Sequence, residues 1–255
     1  MCQSFFFSLL KNSIITLMEE LVYEAIKTFL WFTIPIIVLG IICIAIRFLT
    51  KIPDFVFRKI LHLIAVSMIT VLLIVPTHWW IAEIVMGIGA IGIVVLLLIF
   101  ERTEIYKKFF VEKNKHEILI LFLIFFLVVI YLIALFWGYR GEEHRYLVII
   151  ALLSWGLGDA AAAIFGRLFG KHIVSGKVIE GNKSIEGSVM CFVFALAISF
   201  LLLFLLMHYL WWLSLIEALL IALLVSFAEL FTKKGLDNLT CPLVASVILL
   251  LFSLL

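Results

Sequence analysis

"LSWGLGDAAAAIFGRLFG", residues 153–170, reads as part of a membrane helix interrupted by one carboxylate, Asp159. Whether this stretch lies in lipid decides the fold. Composition answers first: 66% of the 255 residues are hydrophobic and only 14% are charged, with a mean hydropathy of +1.30. One soluble core cannot hide that much apolar surface. Apolar runs of ~17–25 residues, enough to cross about 30 Å of hydrocarbon, recur from end to end. They fall at 28–49, 57–75, 79–100, 117–137, 146–169, 187–207, 211–231 and 239–255, the last being short. The expected fold is all-α, a polytopic integral membrane protein of about eight transmembrane helices. Residues 14–27, "IITLMEELVYEAIK", read as an amphipathic helix on the interface. The chain then divides into an N-terminal interfacial segment, 1–27, and a transmembrane catalytic domain, 28–255. The cysteines show no CxxC spacing, which argues against a disulfide framework or a zinc site.

The loops give the orientation. Those at 47–59, 101–116, 167–186 and 232–238 carry fifteen of the 19 basic residues. The positive-inside rule makes that face cytoplasmic and puts both termini outside. Trp31, Trp79, Trp80, Trp137, Trp211 and Trp212 all fall near the opposite face, as an aromatic belt should. A seven-span arrangement would flip some of these and spoil both patterns. Glu83 and Glu217, near the outer face, read as interfacial. His78, His116, His144, His172 and His208 read as interface or loop residues.

Polar clusters converge on the cytoplasmic face. A carboxylate near a helix centre costs about 2.5–3.5 kcal/mol on insertion scales, so Asp159 should face protein or water and serve a function. Helical spacing aligns it with Ala163, Gly166 and Gly170, a stripe that also reads as a close-packing seam. The next stretch, "SGKVIEGNKSIEGS" (175–188), leads into a helix N-terminus and suits an anion. Gly176, Gly181, Asn182, Lys183 and Ser184 nearly spell a P-loop. One residue too many and no preceding strand exclude the true motif. In "VSFAELFTKKGLDNLTCP" (225–242), Glu229 closes one span while Asp237 and Asn238 open the next. Thr240 is the expected N-cap, with Pro242 in the first turn. In "FRKILHLIA" (57–65), Arg58 and Lys59 share helix faces with His62. Carboxylates beside phosphate-binding basic groups suit a Mg²⁺–nucleotide.

The blocks "RKILH", "GDAAAAIFGRLFG", "NKSIEGS" and "E…GLDNLTCP", in that order over 57–242, resemble the polytopic polyprenol kinase family. That family groups dolichol kinase, phytol kinase and the CTP-dependent diacylglycerol kinase, and is distantly related to the CTP:phosphatidate cytidylyltransferases. The resemblance implies a membrane enzyme that passes the γ-phosphate of CTP, or another nucleotide, to the hydroxyl of a lipid alcohol. It implies that Asp159 and its glycines, the Lys183-Ser184-x-Glu186-Gly187 block, and Glu229 with Asp237-Asn238 frame the nucleotide and Mg²⁺.

The expected roles are specific. Asp159, Lys183, Glu186 and Asp237 would be catalytic, and Asp159, Glu229 and Asp237 would hold the metal. Arg58, Lys59, His62, Gly166, Gly170, Ser184, Gly187 and Asn238 would bind the nucleotide. The lipid chain would lie in an interhelical groove that no sequence pattern locates. Membrane lipids are the other expected partners, nucleic acid is not, and whether copies associate stays open. The nearest rival is a CTP:phosphatidate cytidylyltransferase, which needs the same groups. A small transporter or channel would instead need polar residues along a whole path, and a scaffold would tolerate neutral replacements.

Overall fold

The computed structural model describes residues 2–100, 103, 115–174, 183–232 and 235–254. Within them run α1 (Cys2–Leu49), α2 (Asp54–Ile74), α3 (Trp79–Phe100), α4 (Lys115–Leu132), α5 (Arg145–Phe169), α6 (Ile185–Leu206), α7 (Trp211–Phe231) and α8 (Asp237–Phe252). A π-helical stretch, Ile133–Gly138, extends α4. Seven of these segments are long and apolar enough to cross a membrane, and α8 is the shorter exception. The protein is an all-α polytopic membrane protein. Of the expected P-loop-like residues, Gly176, Gly181 and Asn182 lie outside the described residues, as does most of the basic loop 101–116.

The central helix is α5. Its apolar window is 78% buried, against 44% or less for every other span. It packs on α2, α6, α7 and α8. Small residues let it approach α6 closely. A methyl group on Gly158 would meet Cys191 Sγ at 3.0 Å, and one on Gly187 would meet the Ala162 carbonyl at 2.9 Å and Gly166 Cα at 3.2 Å. Gly158, Ala162, Gly166 and Gly170 thus face Gly187, Cys191 and Ala195, two ridges with i, i+4 spacing. Gly166 and Gly170 of the expected stripe lie on this seam, while Gly158 and Ala162 take the places expected of Asp159 and Ala163. Asp159 and Ala163 sit beside the seam and face the site.

Two polar latches hold α1. Near its middle, Glu24 Oε1 accepts from the Thr77 backbone N–H (2.6 Å) and hydroxyl (2.8 Å), and its Oε2 meets His78 Nδ1 at 3.2 Å. Near its C-terminal end, Arg47 pairs with Asp54 and donates to the Ile52 carbonyl. The helix is continuous across residues 27 and 28, where the sequence suggested a boundary between an interfacial segment and the first span.

Two expectations need correction. α8 begins at Asp237, so Thr240 is not its N-cap; the Thr240 hydroxyl instead donates to the Leu236 carbonyl at 3.2 Å. Gly235, at φ 76°, makes the turn that starts the helix early. Pro242 then lies inside the helix and leaves the Asn238 carbonyl without its helical donor. Glu217 is not interfacial. It is fully buried, on the stripe Ser214–Glu217–Ala218–Ile221–Val225 that α7 turns inward, and neither carboxylate oxygen has a hydrogen-bond partner among the described residues.

The seam is testable by adding single methyl groups. At Gly170 a Cβ would fall 2.2 Å from the Gly166 carbonyl and 2.7 Å from Ser184 Oγ, whereas at Gly40 it would meet nothing within 4 Å. Gly170→Ala should destabilise the protein by about 1–3 kcal/mol, the usual cost of overpacking. Gly40→Ala should be neutral or slightly stabilising. Unfolding in detergent, followed by circular dichroism, checks both.

Candidate active site

The helix ends that face the basic loops enclose one cavity of about 1170 Å³. The first half of α2 brings Arg58, Lys59 and His62, and the C-terminal half of α5 brings Asp159 and Gly166. The start of α6 and the strand before it add Lys183, Ser184 and Gly187. The α7–α8 corner adds Glu229, Asp237 and Asn238. Residues from four separate sequence blocks therefore meet at one end of the bundle.

Asp159 is the hub. Lys59 Nζ donates to its Oδ1 at 2.7 Å and its Oδ2 at 2.6 Å. Both side chains are largely buried, Asp159 7% and Lys59 21% exposed. His62 Nε2 stands 3.6 Å from Asp159 Oδ2, beyond hydrogen-bond length, and its ring meets Trp155 edge-on at 4.6 Å. That nitrogen is buried and has no hydrogen-bond partner among the described residues.

Lys183 forms a second cationic centre. It pairs with Glu229 Oε1 at 3.0 Å and also donates to the Glu229 and Thr232 carbonyls, the latter at 3.3 Å. A cation on the last carbonyls of α7 neutralises the negative end of that helix. A two-residue antiparallel ribbon carries it there, with Ile173 opposite Ser184 and Val174 opposite Lys183. Ser184 then caps α6, its Oγ accepting from the Gly187 N–H at 3.1 Å.

Glu186 and Gly170 are not among the residues lining the cavity. Glu186 turns away to His172, meeting its Nδ1 at 2.7 Å and its backbone N–H at 3.2 Å. Gly170 serves the α5–α6 packing described above. Conversely, Arg167, Glu117, Thr232 and Gly235 line the cavity without having been singled out as site residues. Arg167 was legible only as a basic helix end, and Glu117 gave no signal beyond its charge.

The model of the cytidylyltransferase family matches residues 12–232, which hold every one of these side chains except the α8 corner. The chain belongs to the cytidylyltransferase family. Two phosphatidate cytidylyltransferases, from two strains of Staphylococcus epidermidis, are each 48% identical to it over 52 residues. That stretch is 20% of this chain and 19% of each relative, so the match spans about a fifth of the curated relatives' length. No solved structure matches the chain. The kinship supports the cytidylyltransferases and not the narrower kinase subfamily that the sequence blocks resemble. For this membrane member of the cytidylyltransferase family, CTP fits as the nucleotide.

The metal expectation changes in form. Among the described residues, no three carboxylate, imidazole or thiol groups stand close enough to hold one ion. Asp159, Glu229 and Asp237 share the cavity, but lysines occupy the first two. Asp237 makes no side-chain hydrogen bond or ion pair among the described residues, and Asp159 is the carboxylate whose charge acts on it most strongly. This all-oxygen donor set fits Mg²⁺ shared with nucleotide phosphates, which needs only one or two carboxylates. It does not fit an ion caged by protein alone.

The Lys59–Asp159 pair gives a direct test. Lys59→Met leaves a buried carboxylate without its partner and should cost about 3–5 kcal/mol. Adding Asp159→Leu should restore much of that loss, because the unpaired charge is then gone. A double-mutant cycle on unfolding in detergent reads the coupling.

Proposed function

We propose that this chain is a CTP-dependent transferase acting on a membrane lipid at the cytoplasmic face, and that it moves the cytidylyl group of CTP onto a lipid phosphate. The observation that carries the reading is one cavity with four cationic side chains, Arg58, Lys59, Arg167 and Lys183, in a chain of the cytidylyltransferase family. The same lining carries four carboxylates, Glu117, Asp159, Glu229 and Asp237; the cations suit the phosphates of CTP and of an anionic acceptor, and the carboxylates suit Mg²⁺. The family match and the name of the Staphylococcus relatives support a phosphatidate-like acceptor.

The chemistry agrees with the state of the carboxylates. A lipid phosphate oxygen attacks the α-phosphorus of CTP, the bond from that phosphorus to the β-phosphate oxygen breaks, and pyrophosphate leaves. The nucleophile is already an anion, so no proton has to be removed. That suits a site where Lys59 and Lys183 hold Asp159 and Glu229. Lys183 and Arg58 bind phosphates, Lys59 sets Asp159, and Asn238 hydrogen-bonds the nucleotide. Asp237 and Asp159 would hold Mg²⁺, which neutralises phosphate charge when bound. Gly166 and Gly187 let α5 and α6 close together along the wall of this cavity. Positioning and charge neutralisation supply most of the rate in such transfers.

The blocks resembling polyprenol kinases favour a second reading, in which a lipid hydroxyl attacks the γ-phosphorus and CDP leaves. There the hydroxyl proton needs a base, and Asp237, which has no cationic partner among the described residues, is placed to take it.

Purified protein with Mg²⁺ and CTP labelled at either the α or the γ phosphate separates the two. We expect α-label in the lipid from phosphatidate, with pyrophosphate released. Transfer of γ-label to an alcohol, with CDP released, overturns the cytidylyl reading in favour of the kinase. No transfer from CTP to any lipid overturns both. Asp237→Asn should keep the folded state and lower kcat at least about 100-fold, as loss of a group used in the transition state does.

A further inference from the structure

Glu217 lies outside the cavity, towards the opposite end of the bundle. About 18 Å of helix separates it from Glu229, at 1.5 Å per residue. No basic side chain acts on it among the described residues. Neither of its carboxylate oxygens has a hydrogen-bond partner there, and neither does the hydroxyl of Ser199 on α6 or of Ser214 on α7. All three side chains are fully buried. The two serines differ from others in the bundle. Ser154, Ser226 and Ser246 donate to the carbonyl three residues earlier, at 3.1, 2.9 and 2.7 Å. Ser199 and Ser214 make no such bond. Depth in the bundle brings the three together. α6 and α7 form an antiparallel hairpin through residues 207–210, with Ser199 about two turns before the end of α6 and Glu217 about two turns after the start of α7. Both lie on the buried stripes of their helices, Cys191–Ala195–Ser199–Leu203 and Ser214–Glu217–Ala218–Ile221. Ser214 stands one turn nearer the hairpin than Glu217, on the same face. Tyr209, partly buried in the connector, is near enough for the charge of Glu217 to act on its phenol.

We infer that Glu217, Ser199 and Ser214 form a binding site for one alkali cation, Na⁺ or K⁺, which ties α6 to α7 at the end of the bundle away from the cavity. A carboxylate inside a span needs a partner, and the protein supplies none here. One acid fixes the charge of that partner. A monovalent cation makes the layer neutral, whereas a divalent one leaves a net charge in a medium that does not solvate it. The donors fix its class. Carboxylate and hydroxyl oxygens suit hard cations, and no thiol or imidazole cluster stands there among the described residues. A proton on Glu217 removes the charge but leaves the serine oxygens unused. A cation takes lone pairs from all three side chains, while each serine O–H can still turn to a carbonyl of its own helix. The site is independent of the reaction proposed above. Its occupancy fixes the depth of α6 against α7, the two helices whose opposite ends carry Gly187 and Glu229.

The test uses the full-length protein in detergent and reads no turnover. Thermal unfolding, followed by circular dichroism, is measured in NaCl, in KCl and in N-methyl-D-glucamine chloride at equal ionic strength, without Mg²⁺ or CTP. We expect a higher wild-type midpoint in at least one alkali salt than in the salt of the bulky cation. Glu217→Gln should remove that difference. Equal midpoints for wild type in all three salts overturn the site. So does an undiminished difference in Glu217→Gln, which would put the bound ion elsewhere. The infrared difference between wild type and Glu217→Gln, taken in the stabilising salt, gives a second readout. We expect the bands of an ionised carboxylate; the band of a protonated carboxyl replaces the cation with a proton and overturns the site. If Glu217→Gln fails to fold, Ser199→Ala decides, because it removes one oxygen ligand and leaves the charge. It should raise the alkali concentration that gives half the stabilisation at least about fivefold, the loss of one polar contact. An unchanged concentration overturns the site.

Discussion

A carboxylate inside a membrane bundle must be held, and the ion pair between Lys59 and Asp159 holds it. Asp159 needs a partner because hydrocarbon does not solvate charge. Lys59 can reach it because its own helix places it one turn inside the end of α2, where a long aliphatic stem runs along apolar neighbours and the ammonium turns inward. The pair fixes α2 against α5. It also fixes the floor of the cavity, since the α5–α6 seam, the cap at Ser184 and the Lys183 clamp on α7 are all set relative to α5.

Most spans were legible because hydrocarbon thickness imposes a length on every helix that crosses it: α2 to α7 lie within a few residues of the expected runs, whereas α1 extends well before the expected start at residue 28. Asp159 was legible as well, because a charge in such a run is costly. Its partner was not: Lys59 lies 100 positions away, and no local spacing links the two. Errors arose where one residue decides a helix face. Neighbouring residues on a helix point about 100° apart, so Gly187 faces the cavity while Glu186 faces His172. The same step moved the packing stripe from Asp159 to Gly158.

The start of α8 shows another limit. Thr240 and Pro242 together look like the opening of a helix, and the helix forms three residues earlier because Gly235 supplies a turn that few other residues make. Glu217 shows a third. Its place near a span end suggested an interface, but the neighbours that turn it inward, Ala218, Ile221 and Val225, declare a buried stripe only once the packing partner of α7 is known.

The two latches on α1 act as a ruler. Glu24 is tied to the α2–α3 turn and Arg47 to the start of α2, and the 23 residues from one to the other span about 35 Å of helix. Hydrocarbon is about 30 Å thick, so the protein carries its own membrane thickness, with a few ångströms to be absorbed by tilt. A thinner bilayer must tilt the whole bundle or swell around it, at fractions of a kcal/mol per Å. Membranes of different thickness would then differ in how readily they hold this chain.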